Sequence, residues 1–243
     1  MSNINQMHHE ILLRLNELGA YQHEDFLPEE IDIYINDASL KLVKDRFESI
    51  GNRSFKGFEQ SVKRVADLSP LIITDNIVTS YGGEFGSFFI DQITKPSNYL
   101  FFINQYCQTQ KSDTTTATVD NNKRIIDSNI IKYSDGKFVQ HDDLLAVLQD
   151  PFNETYNECP IFTITNTVNF YATDNFVVDN VNLTYLKKPQ TVKFDPQDST
   201  NNVNSDLPDQ THDEIIEMTV SSMLSDIGDF GKQQQFTNLN DNE

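Results

Sequence analysis

Histidines and their neighbours are the first side chains whose types could do chemistry, namely metal binding or general base catalysis. The run His8–Glu10 has suitable ligands, but adjacent residues of a helix point in different directions and make a poor chelate. We expect this run to lie on a solvated helix face. His212 is followed by two acidic residues in the first turn of a predicted helix. A local polar contact explains that histidine better than general base catalysis does.

The cysteines, aspartates and glycines lack the spacing of catalytic or metal sites. Cys107 and Cys159 do not have zinc-site spacing, so we interpret each as a small hydrophobic side chain. The aspartate-rich segment 195–206 has the ligands for at most weak cation binding, because no EF-hand pattern occurs. The run Gly82–Gly86 matches neither a P-loop nor a dinucleotide fingerprint, and we expect a turn at its first two residues. No carboxylate pair stands out for glycoside cleavage. These residues predict no enzyme, no cofactor and no metal.

Charge narrows the classes of partner. The chain of 243 residues has 18 basic and 37 acidic residues, a formal net charge of −19. This balance disfavours a protein that binds nucleic acid by neutralising phosphates, and also a polybasic membrane anchor. An acidic surface repels DNA, which suits a wall that DNA slides past, although acidity also simply maintains solubility.

The sequence has no signal-peptide pattern and no apolar run that would span a bilayer, so we expect synthesis in a cytoplasm.

Apolar residues spaced three and four apart predict helices in the first third of the chain. We expect helices over 3–18, from Pro28 to about Phe47, and over 58–68, with Pro28 in a first turn where its missing N–H costs nothing. Together these helices suggest a small bundle.

The middle of the chain has the composition of β-strands. Segments 71–78, 87–93 and 99–106 are rich in β-branched and aromatic residues. The strongest alternation lies in 160–194, where Val181, Leu183 and Tyr185 alternate with Asn182 and Thr184, and a turn is expected at Asp174 and Asn175. A period of two over this length predicts a sheet with one wet face.

Three further features complete the regions. We expect a polar loop near 111–122, a short strand within 124–133, and a helical turn over 141–148 with Leu144, Leu145 and Leu148 inward. Thr211 and Glu214 have capping-box spacing before a wide apolar stripe, which predicts a last helix. The predicted regions are a helical region (1–69), a β-rich module (70–194), a polar linker (195–210), a C-terminal helix packing back on the bundle (211–228) and an extended tail (229–243).

Separate segments of the chain resemble neck proteins of tailed bacteriophages. The segment LPEEIDIYINDASLKLVKDRF is similar to the opening helix of that family, with Asn36 and Ala38 near the family's Asn and Ala. A second segment resembles the family's "Leu-x-x-Leu, Pro-Phe, later Pro" pattern in Leu144, Leu148, Pro151, Phe152 and Pro160.

The strongest resemblance is VNLTYLKKPQTVKF, whose strand ends in Tyr-Leu-Lys-Lys-Pro at 185–189. It resembles adaptor or ring proteins, notably those of crAss-like podoviruses. After a polar linker, Leu207, Pro208 and His212 precede an amphipathic helix, as in that family.

The resemblance implies an α+β fold, with an N-terminal helical bundle beside a β-sandwich-like module and a C-terminal amphipathic helix. It implies a virion protein that forms a homo-oligomeric ring of twelve copies below the portal, contacts neighbouring neck or tail proteins, and lets DNA pass without sequence-specific binding. By analogy, 229–243 is the candidate portal contact. Our candidates for subunit or portal interfaces, with plain core as the alternative for the strand and helix positions, are Tyr185, Lys187, Lys188, Ile216, Val220, Phe230, Phe236 and Leu239.

Two other functions stay open. One is another virion part, such as a tail hub or a fibre-attachment protein. The other is a carbohydrate-binding or depolymerising module, for which Tyr81, Phe170 and Tyr171 are candidate aromatic platforms, although the chain has no Trp.

Overall fold

The computed structural model of the chain describes residues 3–17, 26–47, 62–111, 118–119, 125–126 and 131–226. The chain divides into two compact units: unit 1 combines Met1–Ile72 with Lys188–Glu243, and unit 2 is Ile73–Lys187. Unit 1 therefore combines segments from before and after unit 2 in the sequence. The helices are α1 (Ile4–Glu17), α2 (Pro28–Phe47), α3 (Val62–Leu68), α4 (Leu144–Gln149) and α5 (His212–Asp226).

Unit 1 is helical, and polar side chains define where its first two helices begin. The backbone N–H of Asn3 donates to the side chain of Gln6 (3.0 Å) at the start of α1. The N–H of Leu27 donates to the carboxylate of Glu30 (2.9 Å) at the start of α2. Both contacts satisfy a donor that the helix itself leaves unpaired.

The core of unit 1 consists of the apolar stripes that the sequence predicts. α5 packs against α1 and α2, and α3 packs against α2. The stripes meet because residues three and four apart share one helix face. Buried residues of these stripes include Ile4, Met7, Ile11 and Leu15 of α1, Ile31, Ile35, Leu42 and Val43 of α2, and Ile215, Ile216, Val220, Met223 and Leu224 of α5.

Unit 2 is built from β-sheets, and α4 lies within it. The strands are β1 (Ile72–Val78), β2 (Ser80–Phe85), β3 (Phe88–Thr94), β4 (Tyr99–Lys111), β5 (Thr118–Val119), β6 (Ile125–Ile126), β7 (Ile131–Ser134), β8 (Lys137–Phe138), β9 (Ile161–Ile164), β10 (Thr167–Ala172) and β11 (Phe176–Lys187). A four-stranded sheet has the order β1-β11-β4-β7, a five-stranded sheet has the order β2-β3-β10-β9-β8, and β5 pairs with β6.

The two larger sheets share one apolar core. Val181 and Leu183 of β11 have no exposed surface, and they belong to the same buried cluster as Phe162 of β9 and Phe170 of β10. Side chains from one face of each sheet therefore form the core, which is the packing of a β-sandwich. The predicted α+β class is confirmed.

Some local predictions are wrong. Gly82 and Gly83 do not form the turn, because they lie inside β2 next to a bulge, and the turn falls at Gly86 and Ser87. Leu145 is 54% exposed, so of the three predicted residues only Leu144 and Leu148 point inward.

The predicted capping box is also wrong. The hydroxyl of Thr211 donates to the carbonyl of Pro208 (2.7 Å), and the carboxylate of Glu214 accepts from Arg46. A short 3-10 turn, Asp209–Thr211, precedes α5 in place of a box.

The segment predicted as a polar linker has its own hydrogen bonds. Lys193 and Val203 form an isolated antiparallel bridge. The Asp195 carboxylate accepts from the N–H groups of Gln197 and Asp198. Each such bond fixes a backbone group that a free linker leaves to water.

Candidate functional site

His8, expected on a solvated face, is instead buried, with 3% of its surface exposed. Its Nε2 lies 2.8 Å from Oδ1 of Asp32, and its ring packs 4.6 Å from the ring of Phe194. The other carboxylate oxygen of Asp32 accepts the N–H of Phe194 (2.9 Å). Burial lowers the pKa of His8, while the hydrogen bond and charge of Asp32 oppose that effect. The prediction failed because the partner lies on another helix. His9 is exposed.

Two other candidate catalytic or metal-binding residues, His212 and Cys107, are buried and contact backbone carbonyls. His212 is buried, and its Nε2 lies 3.2 Å from the carbonyl oxygen of Leu207. Cys107 is buried and its thiol donates to the carbonyl of Ser134 (3.4 Å), while burial raises its pKa to about 11. A thiol of that pKa is a poor nucleophile at neutral pH. Among the described residues, no three His, Cys, Asp or Glu side chains are placed to hold a metal ion.

Side chains of α2 connect distant parts of unit 1. The amide of Asn36 donates to the carbonyl of Val192 (3.2 Å) and accepts its N–H (2.8 Å). Arg46 donates to Asp67 of α3 (3.0 Å) and to Glu214 of α5. These contacts join segments 21 to 168 residues apart in the chain.

Three of the predicted interface residues belong to the core of their own unit. Tyr185, Ile216 and Val220 are at most 1% exposed, so they have no surface to offer a neighbouring subunit. Burial and the carboxylate of Asp75, to which the Tyr185 hydroxyl donates (2.9 Å), raise the pKa of Tyr185 to about 12.

The remaining predicted interface residues differ in their positions. Lys187 is half-buried and Lys188 is exposed. Phe230, Phe236, Leu239 and the whole tail 229–243 lie outside the described residues, as do most of the polar loop near 111–122 and residues 58–61 of the predicted third helix.

A surface that the sequence did not single out is the outer face of the four-stranded sheet in unit 2. In register, Asn182 of β11 lies opposite Tyr106 of β4, Thr184 lies opposite Asn104, and Gln108 lies opposite Tyr133 of β7. Opposed residues of antiparallel strands project from the same face. We call this surface the amide face; its residues are Thr74, Asn76, Val78, Asn104, Tyr106, Gln108, Gln110, Ile131, Tyr133, Asn180, Asn182 and Thr184.

Hydrogen bonds between side chains cross the amide face. The hydroxyls of Thr74 and Thr184 lie 2.9 Å apart, and the amide of Asn76 donates to that of Asn182 (3.0 Å). None of the side chains of the amide face carries a formal charge, although 23% of the whole chain is charged. The carboxylate of Asp179, at the bulge beside Asn180, contacts the face, because it accepts from the side-chain amides of Gln110 (3.1 Å) and Asn180 (3.0 Å).

Two exposed tyrosines stand on the amide face. Tyr106 is 41% exposed and Tyr133 is 70% exposed. The aromatic platform predicted from sequence is wrong in two of its three residues, because Phe170 and Tyr171 are buried and only Tyr81 is exposed. Alternation over 180–184 was the available signal for the amide face, but the residues beside it become evident only from the register.

No protein-family model matches the chain, and no curated protein matches it in sequence. Within the part of the chain that the structure describes, every helix is too short or too polar to cross a membrane.

Proposed function

We propose that this chain is a non-enzymatic structural subunit of the neck of a tailed bacteriophage, where copies form a ring between the portal and the tail. The observation that carries the proposal is where the resembling segments lie. Asn36 of the first segment holds Val192 at the end of the strongest one. The helix of the last segment, α5, packs against α2, the helix of the first segment. Segments that resemble one family and also pack on one another support a common origin better than scattered matches do.

The charge of the chain supports a channel role. A subunit with a formal net charge of −19 repels the phosphates of DNA, so DNA can pass without being held. The stoichiometry of twelve comes from the resemblance alone. Head-to-tail contacts, in which one surface meets a different surface of the next copy, would close such a ring.

The proposed portal contact is the tail 229–243. Its apolar residues, Phe230, Phe236 and Leu239, stand among polar ones. We propose that these three side chains are buried against the portal, where apolar groups contribute most to binding. Attachment to the portal should therefore depend on these three side chains and little on the polar residues between them.

Co-sedimentation of the purified chain with the purified portal protein of the same phage tests this role. We expect stoichiometric binding by the unmodified chain, and a loss of about tenfold or more in affinity when the three apolar tail residues are replaced by Ser. The matched control replaces Gln233, Gln234 and Gln235 by Ser, which leaves the apolar residues in place and should bind normally.

The outcome separates the neck role from another virion role. The unmodified chain is a tail hub or fibre-attachment part instead if it does not bind the portal protein, is abundant in virions and cross-links to tail or fibre proteins. Absence from purified virions would remove both roles.

A further inference from the structure

We propose that the amide face binds a neutral glycan, a property that goes beyond the neck role and does not depend on it. The inference rests on the composition of the face, the spacing of its polar groups and its two exposed tyrosines. Each of these observations restricts the chemistry of the ligand.

The charges on and around the amide face disfavour a charged ligand. The chain has a formal net charge of −19, yet the twelve residues of the amide face are themselves uncharged, and the carboxylate of Asp179 contacts the face through Gln110 and Asn180. An anionic ligand would be repelled by this carboxylate, and a cationic ligand would have to compete with the two amides that already donate to it. An uncharged ligand fits this surface best.

The amide face has too small a share of apolar side chains to suit a protein partner. Four of the twelve residues of the amide face are aliphatic or aromatic, namely Val78, Ile131, Tyr106 and Tyr133, and the other eight have an amide or a hydroxyl side chain. The centre of a stable protein interface is largely apolar and closely packed. A hydrated ligand that hydrogen-bonds over its whole length matches a surface dominated by amides and hydroxyls.

The spacing of the polar groups suits a chain of sugar hydroxyls. Neighbouring strands lie about 4.8 Å apart, and alternate residues along one strand about 6.8 Å apart. Each side-chain amide both donates and accepts, as each sugar hydroxyl does. Asn76 donates to the side-chain oxygen of Asn182, and within the described residues the oxygen of Asn76 and the NH₂ of Asn182 are available to a ligand.

The tyrosines supply the apolar part of sugar recognition. Gln108 separates them in the register: Tyr133 lies opposite Gln108, and Tyr106 is two residues from it on the same strand. Such diagonal neighbours are about 7–8 Å apart. Their rings offer flat apolar surface to the C–H groups of pyranose rings, and their hydroxyls remain polar.

Affinity electrophoresis of the full chain through gels containing neutral polysaccharides tests the proposal, with dextran, galactomannan, xylan and a β-1,3-glucan as probes and anionic alginate for comparison. We expect at least one neutral polysaccharide to retard the chain and alginate not to. Tyr106→Ala/Tyr133→Ala should weaken that retardation about tenfold or more. The matched control is Tyr156→Ala, a tyrosine of unit 2 that is 50% exposed but lies off the amide face.

A second variant keeps the test decisive if the tyrosine variant unfolds. Asn76→Ala/Asn182→Ala removes one polar row and should also weaken retardation while thermal unfolding stays cooperative. The proposal is overturned if none of the neutral polysaccharides retards the chain, or if Tyr156→Ala loses retardation equally. It is likewise overturned if sedimentation shows that the face instead joins copies of the chain, with Gln108→Lys dispersing them. None of these results bears on portal binding, which the tail substitutions test separately.

Discussion

The side-chain amide of Asn36 forms two hydrogen bonds with the backbone of Val192, donating to its carbonyl at 3.2 Å and accepting its N–H at 2.8 Å. The two residues are 156 positions apart. An amide placed against an extended backbone in this way acts as a neighbouring strand does, satisfying one donor and one acceptor at once. The segment that follows β11 is therefore fastened to the middle of α2.

Asn36→Ala should destabilise unit 1 by about 1–3 kcal/mol, because it leaves both backbone groups of Val192 without their partner. Urea unfolding followed by circular dichroism measures the change. Asn36→Asp is the matched comparison, since it keeps the acceptor for the N–H but loses the donor. An alanine variant as stable as the parent would show that water replaces the amide at no cost.

The stability of the chain should fall in mild acid because of His8. Burial holds the pKa of folded His8 below the ordinary value of 6.5, so the unfolded state binds the proton first as the pH falls. The free energy of unfolding therefore decreases below about pH 6.5, and the contribution is fully present above it. His8→Gln should reduce this pH dependence, measured by urea unfolding at several pH values. His9→Gln, at the exposed neighbouring position, should keep it; equal slopes in both variants would contradict the prediction.

Arg46→Met should cost about 2 kcal/mol, because Asp67 is 1% exposed and loses its charged partner. Asp67 keeps its bond from Gln210 (2.7 Å), which limits the loss. Adding Asp67→Asn to Arg46→Met should recover part of the stability by removing the unpaired charge. Lys44→Met, at an exposed position of the same helix, is the control and should change the free energy of unfolding little. A double variant no more stable than Arg46→Met would contradict this explanation.

Gly83→Ala should destabilise unit 2 by about 1–3 kcal/mol, because residue 83 has a φ of 115°, which a side chain disfavours. Gly82→Ala is the neighbouring control. Its Cβ would lie 2.8 Å from the side-chain end of Gln92, which can move aside. Thermal unfolding compares the two, and an equal or larger loss in Gly82→Ala would argue against the bulge geometry.

Regular periodicity made much of the fold predictable. The stripes of α1, α2 and α5 and the alternation in β11 specify one buried face within a single segment, and the structure buries those faces. Features set by a partner distant in sequence were not predictable. The burial of His8 depends on Asp32, and the position of Gly82 and Gly83 within β2 depends on pairing with β3.

The amide face illustrates the same limit. Asn182 and Thr184 were expected on a wet face, and both are half-buried opposite the exposed residues Tyr106 and Asn104. Which residues accompany them follows from the register of β11 with β4 and of β4 with β7. A one-residue change in that register would move every side chain to the opposite face, and the sequence of one strand does not contain this information.

The central claim, a ring subunit of a phage neck, is tested most directly by a density reconstruction of the intact virion, into which units 1 and 2 are fitted separately. We predict that both units fit density of a closed ring between the portal and the tail, in one orientation repeated around the axis. Placement of both units elsewhere in the particle, or the absence of any matching density in the virion, would contradict the account.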